Sequence, residues 1–268
     1  MNARVFCLIL ATICPGTLRA SVKLLVTVTE AKSGKAATTL KAGDFTVLDD
    51  GRPRQVEGVE YQTTLLDVMM LLDSSLVGEM VLPVAADLIR QLQPKEQMAI
   101  VAFHSSADLV QEFTSSQDLL QKALREVKFG NNPRALDAIY AAADEGFAGA
   151  TYRRAILLVT TGVEGNSRVS DRSVIALAKR NGISIFPVYA VGYERSLFEN
   201  LARRTGGASF SLRELTRSGH GASPAARIFE TMRGAYTLTL SGNLPPGERL
   251  KIEVNLPGKH FVSALPLD

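Results

Sequence analysis

The sequence predicts an α/β protein: a doubly wound, mostly parallel sheet with a small flanking β module built from the N- and C-terminal segments. Three observations carry this. Four apolar runs, Val68–Leu72, Met98–Phe103, Ala155–Val159 and Ile183–Val191, have the composition of strands buried on both faces. Between them, apolar residues recur at helical spacing. Towards both ends, short stretches of strand composition are separated by turn residues and show no helical period.

The elements follow in order. Residues 22–29 have strand composition, then comes a turn at Ser33-Gly34. Phe45–Leu48 leads into the turn Asp49-Asp50-Gly51, and Gln55–Tyr61 is a further strand. After the first apolar run, Val81, Ala85, Leu88, Ile89 and Leu92 form one helix face. Leu109–Phe113 reads as an antiparallel edge strand. Leu120, Ala123, Leu124 and Val127 form the next helix face, with Ser115 as N-cap and Asp118 three residues on. Leu136, Ile139, Tyr140 and Ala143 form a third. Val174, Leu177 and Ala178 form a fourth, ended by Asn181-Gly182, and Leu197, Phe198 and Leu201 a fifth. Pro187 lacks a ladder donor, so its strand needs a bulge or an edge there. Residues 214–225 read as loop, with a short helix near Arg227–Met232 and strands at Tyr236–Leu240, Leu250–Val254 and Phe261–Leu265.

The chain has 268 residues, 46% of them apolar and 21% charged, so it is long enough and apolar enough to bury a core. Lys and Arg number 30 against 27 acids. So small a surplus argues against a nucleic-acid partner. Without Trp, and with aromatics at 6%, a stacking groove is not expected. Residues 1–20 have the layout of a secretory signal peptide: Arg4, an apolar run from Val5 to Cys14, a break at Pro15-Gly16, then Ala20. The run is too short to span a membrane, so no membrane span is expected after cleavage. Both cysteines, Cys7 and Cys14, leave with that segment. The expected organisation is a signal peptide over 1–20, a β segment over 21–63, the α/β domain over 64–214, a linker over 215–225, and a helix with β segment over 226–268. The location is then secreted, periplasmic or cell-surface.

In open α/β sheets, ligands bind beyond the carboxyl ends of the strands. There the sequence carries Asp73-Ser74-Ser75-Leu76-Val77, His104-Ser105-Ser106, and Thr160-Thr161-Gly162-Val163-Glu164, with Gly130-Asn131-Asn132-Pro133 before the third helix. With the strand-end Asp-x-Ser, Leu136-Asp137-Ala138-Ile139, Asp44–Gly51 and Gly234-Ala235-Tyr236-Thr237-Leu238, the chain resembles the von Willebrand factor type A domain family. The likeness is to its exported bacterial members, and it implies a Rossmann-like sheet. It also implies a metal-ion-dependent adhesion site: Asp-x-Ser-x-Ser, a Thr before the third helix, and an Asp after the next long strand.

Mg²⁺ takes six oxygens at about 2.1 Å. Here only Asp73 and Ser75 match. Val77, Pro133 and Thr161 stand at the other three positions, so the site is degenerate. No cofactor is expected, with Mg²⁺ or Mn²⁺ on Asp73 and Ser75 as the alternative. Asp73 and Ser75 also suit a helix cap. The reading is an exported, non-enzymatic module that binds another protein through Asp73, Ser74, Ser75, His104, Asn131, Asn132, Thr161 and Glu164. A Ser/His hydrolase using Ser74 or Ser75 with His104 is the alternative from another class, although no Gly-x-Ser-x-Gly elbow is present. The basic pairs Arg153-Arg154, Lys179-Arg180 and Arg203-Arg204 read as solvated helix ends.

Overall fold

A computed structural model describes residues 21–218, 221–242 and 250–267. The signal-peptide reading of residues 1–20 lies outside the described residues. The elements are β1 (Ser21–Glu30), β2 (Phe45–Asp49), β3 (Arg52–Arg54), β4 (Val56–Thr63), β5 (Leu66–Asp73) and α1 (Leu82–Ile89). Then come β6 (Gln97–Phe103), β7 (Ala107–Thr114), α2 (Gln117–Arg125), α3 (Ala135–Asp144), β8 (Arg153–Thr160) and α4 (Asp171–Arg180). The chain continues with β9 (Ser184–Tyr189), α5 (Arg195–Arg204), β10 (Phe210–Ser211), α6 (Leu212–Arg217), α7 (Pro224–Arg233), β11 (Gly234–Ser241), β12 (Leu250–Val254) and β13 (His260–Leu267).

The doubly wound sheet is six-stranded, in the order β10-β9-β8-β5-β6-β7. All its pairings are parallel except β6 with β7, the expected antiparallel edge. Every residue of β5 is buried, which explains its unbroken apolar run. Leu66, Val68, Met70 and Leu72 face α1, α2 and α7, while Met69 and Leu71 face α3, α4 and α5. The chain leaves β5 for β6 on one side and later returns to β8 on the other. The carboxyl ends of β5 and β8 are therefore the topological switch point.

The terminal segments build the flanking module. β1 pairs with β11 and β13, and β11 pairs with β4, giving the order β13-β1-β11-β4. β12-β2-β3 closes over it. Tyr236 is the keystone of their shared core. Its ring lies 5.3 Å edge-on from Phe45 and 5.0 Å from Tyr61, and its hydroxyl donates to Ala37 O and accepts from Leu40 N. The two phrases that resembled the family thus meet in space.

Several details depart from the sequence reading. The α2 cap is Ser116, not Ser115: its side chain accepts from Leu119 N. Leu212–Arg217 is helical, although residues from 214 read as loop. Pro187 sits opposite Leu158 with no bulge, and β10 reaches only Val188 and Tyr189, so the missing donor falls on a side of β9 where no strand pairs with Pro187. Arg153-Arg154 opens β8 instead of ending a helix.

Polar bonds hold the end of α7, where the chain passes into β11 of the module, to the amino edge of the sheet. Arg233 forks onto Glu96, at 2.9 Å from Nε and 2.7 Å from Nη2, and also donates to Gln91 O. Glu96 has no exposed surface and takes a third bond from Gln93 N. Removing one partner of a buried pair strands the other charge and costs about 3–5 kcal/mol. Arg233→Met is therefore expected to lower unfolding free energy by about that amount in chemical denaturation. A loss under about 1 kcal/mol would show that the pair does not hold the end of α7 to the sheet.

Candidate functional site

Asp73 ends β5 at the switch point and is fully buried. Its carboxylate is saturated by neighbours. Oδ2 accepts from Thr160 Oγ1 at 3.0 Å, Thr161 N at 2.9 Å and Thr161 Oγ1 at 2.7 Å. Oδ1 accepts from Ser75 N at 3.0 Å. Asp73, expected at the binding face, lies beneath that face with no exposed surface. This bonding also replaces the helix-capping role: the turn before α1 begins at Val77, and neither Val77 nor the α1 N-cap Val81 supplies a side-chain cap.

The surrounding loops are tied by backbone. Ser74 N donates to Phe103 O, Gly130 N to Ser74 O, and Gly78 N to Ser75 O. Gly78 is required there, because a Cβ would stand 2.2 Å from Asp73 O. Gly162 has a φ of +100°, and a Cβ on it would stand 1.8 Å from Val191 O. That close approach carries the β9–α5 loop across the end of β8.

Glu164 has a different task from the one expected. It caps α3 from 28 to 29 residues away, with Oε2 accepting from Ala135 N and Leu136 N. Asp137 answers by accepting from Arg168 N and Val169 N, while Ser167 Oγ accepts from Asp137 N. A carboxylate at a helix N-terminus satisfies free N–H groups and the dipole together.

His104 does not meet either serine. Its Nδ1 accepts from Ser105 N at 2.7 Å, and its ring lies against Gly130. Ser74 Oγ and Ser75 Oγ are buried and take no hydrogen bond. The nucleophile–base contact of the hydrolase alternative is thus not made.

Of the eight residues expected at the face, Asp73, Ser74, Ser75 and Thr161 are buried, His104 and Glu164 are partly covered, and Asn131 and Asn132 are exposed. Exposed apolar side chains join them, and the sequence reading did not anticipate these. Leu76 is 72% exposed, Val77 59%, Met80 55% and Tyr193 77%, with Val191 beside it. Val77 was legible as a lost ligand, but nothing in the sequence shows that it faces solvent.

The donor set does not fit a divalent cation. Val77 and Pro133 carry no side-chain oxygen, and Asp73 already holds four donors. Thr161 is the informative change. A second carboxylate here would need a cation to bridge it to Asp73; a threonine bonds Asp73 directly. Among the described residues, no group of three His, Cys, Asp or Glu is placed to hold a metal.

The structure is thus an open α/β sheet with short loops gathered over one strand-end aspartate. The profile of the von Willebrand factor type A domain matches residues 67–217. The chain belongs to that family, whose domains are in general non-enzymatic and mediate protein–protein interactions. Its fold is similar to that of proximal thread matrix protein 1 from the mussel byssus. The identity is 15% and the TM-score 0.53, with 72% of this chain and 50% of that one covered. Another structure of the mussel protein, with a zinc-occupied adhesion motif, gives a TM-score of 0.54 at 15% identity, covering 72% and 50% of the two chains. The chain thus spans half the length of the mussel protein. The type V pilus tip protein Mfa5 of Porphyromonas gingivalis is 12% identical with a TM-score of 0.45, over 64% of this chain and 94% of its own von Willebrand domain. No curated protein matches the sequence.

Asp73→Ala leaves Thr160 Oγ1, Thr161 N, Thr161 Oγ1 and Ser75 N without their acceptor. It is expected to cost on the order of 3 kcal/mol of stability, equally in EDTA and in Mg²⁺. A cost confined to Mg²⁺-containing buffer would mean that the carboxylate works through a cation instead.

Proposed function

We propose that this chain is an exported, non-enzymatic module that binds another protein through the carboxyl-edge loops of its sheet, without a metal ion. The observation that carries this reading is the direct hydrogen bonding of Asp73 by Thr160, Thr161 and Ser75 beneath an exposed apolar rim. In this arrangement Asp73, Ser75, Thr161 and Glu164 hold the loops. Asn131, Asn132, Leu76, Val77, Met80 and Tyr193 present the surface. Exposed apolar groups rimmed by polar ones are the usual signature of a protein-binding face. The secretory layout of residues 1–20 supports export. Among the described residues, no helix is long and apolar enough to cross a membrane.

A second reading places Mg²⁺ or Mn²⁺ on Asp73 and Ser75. One observation favours it: the Ser75 hydroxyl is buried with no hydrogen-bond partner. A thermal melt of the full chain separates the two. At about 10 mM Mg²⁺, a site with a dissociation constant near 0.1 mM adds ~2.7 kcal/mol, or a rise of about 5–10 °C. The expected response is flat, and a rise of that size, absent in Asp73→Ala, would overturn the metal-free reading. Photo-crosslinking amino acids at Val77 and Tyr193 are expected to trap one and the same protein in EDTA. A crosslinker at Lys122, on helix α2, should not. Trapping from Lys122 alone would move the binding face elsewhere.

A further inference from the structure

Beneath the sheet, at the opposite end from the loops just described, lies a cavity of about 500 Å³ between the β module and the amino edge of the α/β domain. Its floor carries Arg153, Arg154 and Arg233, and no carboxylate lines it. Its wall is a row of the module sheet: Leu265 of β13, Leu25 of β1 and Thr237 of β11 lie side by side in register.

The three arginines are not equivalent. Arg233 is neutralised by Glu96. Arg153 and Arg154 have no ion pair among the described residues. Arg153 Nη1 donates to Met232 O, and Nη2 to Ser184 Oγ and Gly206 O, while Nε is buried and unpartnered. Burial pushes its guanidinium down to about 10. Arg154 Nη1 donates to Asn181 O. Asp67, opposite Arg154 in register, is turned instead onto Thr151 N and Tyr152 N at 2.7 Å each. Arg154 also borders a second cavity that carries Asp144 and Glu145, without an ion pair to either.

Guanidinium groups without a counter-ion in a low-dielectric cleft are stabilised by an anion, and an apolar wall facing them selects one with a tail. A cavity of this volume is in the range of small-molecule sites. We propose that this cleft binds a small aliphatic carboxylate, its head on the Arg154 side of the floor and its chain against Leu25 and Leu267.

The probe is octanoate, titrated calorimetrically into the full chain, with butanoate, octanol and inorganic phosphate as comparisons. Octanoate is expected to bind saturably, with affinity falling about fourfold for each methylene removed. Two variants test the place. Arg154→Gln removes one of the two cations that lack an ion pair among the described residues, and Thr237→Glu sets a competing carboxylate on the wall. Each is expected to weaken octanoate by at least about tenfold. Thr237 is partly exposed towards the cleft, and a wild-type melting curve for its variant keeps the test open if Arg154→Gln folds poorly. Absence of saturable heat up to about 10 mM octanoate would overturn the proposal. So would affinity unchanged in both variants, or octanol or phosphate binding as tightly as octanoate.

Discussion

A carboxylate sealed from water must be surrounded by donors, and at the end of β5 that demand organises the whole carboxyl edge. Asp73 draws in the first residues after β8 and the backbone of its own turn. Once the end of β8 is fixed against β5, the Gly162 crossing sets the β9–α5 loop, and Glu164 reaches α3. The surface is therefore held by hydrogen bonds that run under it. The groups that hold the loops and the groups that face solvent are different residues. The acceptors of Asp73 are engaged by two threonines and a backbone N–H, while Val77 and Pro133 stand where the family motif carries side-chain oxygens.

Much of the fold was legible because burial on two faces leaves an unmistakable run, as in Val68–Leu72 and Ala155–Val159. The terminal β module was legible for a similar reason, since β-rich segments without helices must find partners among themselves. The errors were local. Ser115 and Ser116 are adjacent and equally suited to cap a helix, and only the backbone decides between them. Residues 212–217 are helical although the stretch from Glu214 looked polar and loop-like. There, Leu215 is the single buried anchor.

The site was legible in its membership but not in its roles. Asp73 and Ser75 stand out by motif, and Val77, Pro133 and Thr161 by departure from it. That Thr161 is a donor to Asp73, rather than simply a missing acid, depends on a distance across two strands. Glu164 gave no cue of its task, because the helix it caps begins 29 residues earlier. Arg153 was misread for a related reason. A basic pair usually ends a helix in water, whereas here it opens a strand, and the first guanidinium turns inward to Met232 O and Gly206 O.

The strand order of the module has a consequence for how the molecule is made. Among the described residues, β1 has only the Thr29–Ala36 bridge near it in sequence: both its neighbouring strands, β11 and β13, come from the last 35 residues. A nascent chain therefore completes the entire α/β domain while β1 is paired only at its end, where Thr29 bridges to Ala36. Such late, long-range closure is slow and exposes strands that pair readily with other chains. The module is the last part to close, so a chain cut short before residue 234 would carry a finished interaction domain on an unfinished base.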